Sequence, residues 1–200
     1  MIERKAANIT IIGKPNAGKS TLLNRLIGQK IAIVTPKVQT TRSSITGIYT
    51  KDNIQLVFID TPGIFAASTR LEKAMIRCAW SNVAGADQVI FLIDTTREFD
   101  DKSIEIVTKL KSQNLSPIFV INKIDKQKAN IDAIIAAIKN IVVDPVIFQI
   151  SALNGKGTQE LVAYLEEKAP YHEWLYGEDD ITNLPMRFLA SEITREQLFL

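Results

Sequence analysis

The chain has 200 residues, 46% of them hydrophobic and 23% charged, with a formal net charge of +2 at neutral pH. Those values belong to an ordinary globular domain able to bury a core, and they exclude a disordered chain or a nucleic-acid surface defined by overall charge. The single cysteine, Cys78, excludes an internal disulfide, no apolar run approaches the ~20 residues needed to cross a bilayer, and the charged opening MIERKAANIT carries no secretory signal, so a cytoplasmic protein without a transmembrane segment is expected.

The first predicted element is the β-branched run ITII at 9–12, which gives way to a Gly/Pro/Asn turn and then to helical spacing of Leu22, Leu23, Leu26 and Ile27. The turn, Gly13 to Ser20, has the pattern G-x-x-x-x-G-K-[ST] between a strand and a helix. Glycines let successive N–H groups turn inward, and the helix N-terminus adds positive potential. Lys19 then reaches β- and γ-phosphates and Ser20 ligates Mg²⁺. Asn16, Ala17, Gly18 and Thr21 complete the expected phosphate contacts. The plainer reading, a glycine turn with an ordinary cap, does not account for all these features at once.

SSITGIY and NIQLVFI follow too closely for a crossover helix, so an antiparallel hairpin turning at 51–53 is expected. The second of these strands ends in DTPG. There Asp60 would hold a Mg²⁺-bound water and Gly63 would offer its N–H to a γ-phosphate, although DTPG alone is also a good β-turn. The apolar run VIFLI at 89–93 precedes the amphipathic DKSIEIVTKLKSQ, and PIFVI at 117–121 precedes NKID. An Asp125 carboxylate accepts from both N1–H and the 2-amino group of guanine, whereas adenine would meet it with a lone pair. Lys123 can lay its stem along the base, and Asn122 can tie this loop to the phosphate loop. Alone, NKID could equally be a helix-capping turn. After the helical NIDAIIAAIKNI, the strand PVIFQI at 145–150 ends in Ser151, Ala152 and Leu153, where the Ala152 N–H would meet guanine O6.

Near-continuous strand hydrophobicity alternating with helices implies an α/β protein with a mostly parallel six-stranded sheet covered by helices and one antiparallel edge hairpin, and the phosphate-loop motif on that frame makes the P-loop NTPase three-layer fold the expected one. The helical GTQELVAYLEEK closes a GTPase domain at 1–170. Turn formers and aromatics make 171–185 a linker, and 186–200 is amphipathic at helical spacing. His172 is read as packing or solvated, and Cys78 as a small core residue.

The four nucleotide motifs come in the order expected of translation-factor-like GTPases. Within that group KVQTTRSSITGIY, DTPGIFAASTRLEKAMIR and DDITNLPMRFLASEITREQLF resemble the Era family of ribosome-assembly GTPases over nearly the whole chain. The resemblance implies a GTP-binding, GTP-hydrolysing switch using GTP/GDP and Mg²⁺. It further implies action in small ribosomal subunit assembly and 16S-type rRNA maturation, the rRNA 3′ end being bound by a C-terminal KH domain. No G-x-x-G loop occurs among the nine glycines, so 186–200 is expected to be the first helix of that domain and the chain a GTPase domain cut from a longer protein. Peripheral membrane contact of the longer protein is a candidate property. In QTTR, matching the family's switch I, Thr41 is the expected Mg²⁺ ligand, with Thr40 as the alternative. The metal set is then Ser20, Thr41 and Asp60 (through water), and the reaction falls to Lys19, Thr41 and Gly63. Ile64 stands where many GTPases place a water-orienting glutamine, so slow turnover is expected. Some GTPases with an apolar residue there hold a monovalent cation with a phosphate-loop asparagine, which makes Asn16 a candidate K⁺ ligand. The alternative reading is a GTP-gated RNA or ribosome-binding module in which hydrolysis only resets binding.

Overall fold

Strand β1, Lys5–Gly13, begins well before the ITII run, because the small residues Ala6 and Ala7 extend the buried pattern toward the N-terminus. It leads into helix α1, Lys19–Ile27. The hairpin strands β2, Ile45–Lys51, and β3, Ile54–Asp60, turn through Asp52 and Asn53, Asp52 adopting a left-handed φ of 53°. Helix α2, Arg70–Ala84, starts at a capping box in which Thr69 and Glu72 exchange side-chain-to-backbone hydrogen bonds. The chain continues through β4 (Gln88–Asp94), α3 (Asp101–Ser112), β5 (Ile118–Asn122), α4 (Ile131–Ile141), β6 (Ile147–Ile150), α5 (Thr158–Lys168) and α6 (Met186–Gln197). Pro117 and Pro145, lacking a donor for the ladder, fall just outside their strands. This is a computed structural model, and it describes residues 3–35, 43–64, 69–126 and 130–198. Thr40 and Thr41 lie outside the described residues.

The six strands form one sheet in the order β2-β3-β1-β4-β5-β6. Only the β2–β3 pair is antiparallel. Each face has its own apolar layer. Leu22, Leu23 and Leu26 of α1 and Leu161 and Leu165 of α5 cover one face. Val83 of α2, Ile106, Val107 and Leu110 of α3, and Ile134 and Ile138 of α4 cover the other. The result is the three-layer arrangement expected from the hydropathy pattern. Because β1, β3, β4, β5 and β6 are mutually parallel, the loops that follow them all emerge at one edge of the sheet, where ligands of open α/β sheets bind.

Residues 170–184 run back across the sheet. Ala6 N–H donates to Pro170 O at 3.2 Å, and the guanidinium of Arg4 lies 4.5 Å from the Trp174 ring. Fully buried Gln55 accepts from the N–H groups of Leu175 and Tyr176 and donates to Tyr176 O. Farther on, Ile48 N–H donates to Ile181 O at 2.9 Å and the Thr182 hydroxyl to Thr46 O at 2.6 Å. His172 is exposed, its Nδ1 2.6 Å from Glu173 O. Cys78 differs from the core role expected of it. It is half-buried, with Sγ 3.4 Å from Ser44 Oγ, because α2 turns the apolar stripe of Met75, Ala79 and Val83 inward and leaves Cys78 at its margin.

Candidate nucleotide-binding site

The turn between β1 and α1 is shaped by close packing. Gly18 has φ 99°, and a Cβ there would collide with the Asn122 side-chain amide, so glycine is required for both conformation and space. The Lys19 ammonium is buried and donates to the carbonyls of Gly13 and Lys14 at 3.3 and 3.2 Å. Burial pushes its pKa down, and the nearby Asp60 carboxylate opposes that shift. The hydroxyl of Ser20 donates to Asp60 Oδ2 at 2.6 Å, so the end of β3 and the start of α1 place two hard oxygen ligands side by side. A hard divalent cation that keeps several of its waters suits this donor set, and among the described residues no cluster of His, Cys, Asp and Glu suggests a different metal.

The segment after β3 lies over the phosphate loop. Ile64 N–H donates to Gly13 O at 3.0 Å, and a Cβ on Gly63 would come within 2.8–2.9 Å of Pro15. Any side chain at 63 would therefore push this segment off the loop. Beside it opens a cavity of about 540 Å³ lined by Lys14, Pro15, Ile64, Arg97 and Asp100. Lys14 spans its mouth to Asp100, the N-cap of α3, with Nζ and Oδ1 2.5 Å apart.

Asn122 ends β5 and is 2% exposed. Its Nδ2 donates to Ala17 O at 2.8 Å and its Oδ1 accepts from Ala152 N–H at 2.9 Å, which joins three loops through one amide. The link to the phosphate loop is the one expected. The engagement of Ala152 is not: its N–H, expected to face guanine O6, is turned into the protein by Asn122, and contact with a base would require sharing or releasing it. Lys123 adopts a left-handed φ of 70° and its Nζ donates to Asn16 O at 2.7 Å. Asn16 is itself left-handed, φ 63°, as suits an asparagine in a tight turn. Asp125 accepts from Ser151 Oγ at 2.6 Å, which ties NKID to the SAL loop. Thr21, Ala152 and Leu153 lie together on a cavity of about 320 Å³ that also touches Arg25, Lys30 and Val34.

Three sets of residues here were not picked out from sequence. Arg25 on α1 donates to the carbonyls of Ala152 and Leu153 and so anchors the SAL loop. Glu196 of α6, 2% exposed, accepts from Val34 N–H at 2.9 Å and pairs with Lys30, both on the segment leading toward Thr40 and Thr41. Burial works to raise its carboxyl and the bonds from Lys30 and Val34 outweigh it, holding Glu196 below the usual carboxylate range. The third set is Asp94–Arg97, the turn after β4. The signal that singled out Asp60, a carboxylate at the end of a buried strand, was equally present in LIDTTR.

Known proteins share this organisation. The family profile described as 50S ribosome-binding GTPase matches residues 8–123. GTPase Era of Rickettsia conorii is 54% identical over 200 residues, covering all of this chain and 59% of the relative. GTPase Era of Rickettsia akari is 54% identical over 199 residues, covering 68% of the relative. A crystal structure of Era in complex with MgGDPNP and nucleotides 1506–1542 of 16S ribosomal RNA superposes with a TM-score of 0.91 at 40% identity, covering 97% of this chain and 67% of that one. The chain thus spans roughly six- to seven-tenths of the length of these relatives. On this likeness in sequence and in structure over its whole length, the chain belongs to the Era family of GTPases.

Proposed function

We propose that the chain binds GTP and GDP and hydrolyses GTP as the GTPase domain of a switch protein. The observation that carries this is the single amide of Asn122 joining the phosphate loop to both loops expected to read the base. In this reading Asn16 to Thr21 wrap the phosphates, Lys19 and Gly63 serve the γ-phosphate, and Asp125 accepts from guanine with Lys123, Ser151 and the 152–153 backbone around it. Ser20 and Asp60 would hold Mg²⁺, with Thr41 as third ligand. The bound ion would neutralise phosphate charge. The reaction is in-line attack of water on the γ-phosphate, accelerated by positioning and by electrostatic stabilisation. Burial of Lys19 strengthens its pull on an anion, because little water competes for the ammonium. Calorimetry with GDP and ADP tests the base assignment: GDP binds and ADP does not. Equal affinity for the two would overturn it.

Ile64 supports slow intrinsic turnover, because an aliphatic side chain cannot orient water. That leaves two routes to a useful rate: a K⁺ ion held by Asn16, or stimulation by a ribosomal partner. It also favours the second reading, a GTP-gated RNA-binding module. Single-turnover hydrolysis with and without small-subunit particles separates the two: strong stimulation favours a timed switch, and none favours a gate. The rRNA in the Era complex supports the 3′ end of small-subunit rRNA as partner, bound through a KH domain of which residues 186–200 would be the first helix, joined to the GTPase domain 1–170 by residues 171–185. Among the described residues no helix is long and apolar enough to cross a membrane. A cytoplasmic location and a peripheral membrane contact of the longer protein are carried by the resemblance to the Era family.

A further inference from the structure

We propose that Asp94 is a positioning residue for the nucleotide site, holding Lys123 across the gap between the guanine loop and the phosphate loop so that bound guanine nucleotide is retained. The proposal rests on the reading of the site as a guanine nucleotide site.

Asp94 ends β4 with its side chain 5% exposed. Its two oxygens have separate tasks. Oδ1 accepts from Thr96 N–H at 2.9 Å and from the Thr96 hydroxyl at 2.7 Å, which shapes its own turn. Oδ2 receives the Lys123 ammonium at 2.7 Å. A turn-capping aspartate needs only the first set. The second oxygen, buried and given to a residue 29 positions away, is explained by what Lys123 does. The same ammonium donates to Asn16 O at 2.7 Å, so the side chain is stretched between one anchor on β4 and one on the phosphate loop.

Lys123 needs such anchoring. Its φ of 70° is uncommon for a residue with a long side chain and is held only where the surroundings fix it. The next residue of the turn fixes its backbone: Thr95 Oγ1 donates to Lys123 O at 3.0 Å and Thr95 N–H donates to Asn122 O at 3.0 Å. Arg97 closes the arrangement on the phosphate side, donating to Pro15 O at 3.4 Å with Nε 3.8 Å from Asp94 Oδ2. The turn 94–97 therefore grips both loops, and the Asp94 carboxylate is the charged centre of the grip. Burial alone would raise its carboxyl, yet the bonds from Lys123 and Thr96 keep it below the usual range, so the anion persists at neutral pH.

The test is a double-mutant cycle on the dissociation rate of a fluorescent GDP analogue. Asp94→Asn retains the shape and the Oδ1 acceptor but presents an amide to the Lys123 ammonium. The expected result is dissociation about 10- to 100-fold faster. Lys123→Ala should do the same, and the double variant should be no more than about threefold faster than Lys123→Ala alone, because Asp94 acts through that ammonium. A merely structural role would give multiplicative effects, and that outcome overturns the proposal, as does an unchanged rate in Asp94→Asn. If Asp94→Asn is not recovered folded, exposed Thr96→Val runs the same cycle, with a two- to fivefold acceleration expected and an unchanged rate overturning the proposal. Absence of GDP binding by the unaltered protein refutes the guanine reading instead, so the two failures are distinguishable.

Discussion

Truncating Asn122 to alanine should destabilise the fold itself, before any nucleotide is bound. The side chain satisfies Ala17 O and Ala152 N–H, and both of those residues are at most 2% exposed, so the truncation leaves two buried backbone groups without their partner. Each orphaned group costs about 1–3 kcal/mol, and two give about 2–6 kcal/mol. Against the ~5–15 kcal/mol that holds a typical domain folded, this is a large fraction. Urea unfolding of nucleotide-stripped protein, followed by far-ultraviolet circular dichroism, should show a midpoint lowered accordingly at an unchanged m-value. Asn122→Asp keeps an acceptor for Ala152 N–H but sets a carboxylate against Ala17 O, so it should be no more stable than the alanine variant. A midpoint equal to that of the unaltered protein in both variants would refute the reasoning. So would a loss seen only when GDP is present, because the bonds invoked are within the protein.

Asp125→Asn should weaken GDP binding by about 2–5 kcal/mol in calorimetry and move preference toward xanthine nucleotides, since an amide cannot accept both guanine donors. GTP hydrolysis should be faster in potassium than in sodium at equal ionic strength, and Asn16→Ala should abolish that difference while largely keeping GDP affinity. Equal rates in the two salts would leave a ribosomal partner as the accelerator. Glu196 has a depressed pKa when folded, so its contribution is present above the ~4.3 of an unfolded glutamate and is lost as pH falls through the folded value. Glu196→Gln should therefore be less stable than the parent at pH 7, by about 1–2 kcal/mol given the half-exposed Lys30, and indistinguishable from it near pH 2 in denaturant titrations.

What could be seen in the sequence was local. Strands such as VIFLI and the phosphate-loop pattern carry their structural meaning within a few residues, and a fixed motif spacing places the chemistry at one sheet edge once the strands are known to be parallel. Contacts between distant segments left no such trace. Nothing around Glu196 announces that its carboxylate caps Val34, 162 positions earlier, and nothing around Arg25 points to the carbonyls of the SAL loop. Asp94 is an intermediate case. Its place at a strand end was visible, but its contact with the Lys123 ammonium joins residues 29 positions apart. The bond from Ala152 N–H to Asn122 was hidden for a related reason. A backbone donor has no sequence signature of its own, and the nearest strong acceptor proved to be a neighbouring side chain.

The two margins of the sheet are protected differently. Strand β6 is four residues long and offers little backbone to a stranger, whereas β2 is seven residues long and would present a ready template for another chain. Its outward N–H at Ile48 and carbonyl at Thr46 are instead occupied by Ile181 and Thr182. Residues 171–185 thus act as an internal guard against edge-to-edge association. Cutting the chain after Pro170 should therefore leave a folded sheet that self-associates with rising concentration, and residues 171–185 owe part of their value to colloidal behaviour that no nucleotide assay would reveal.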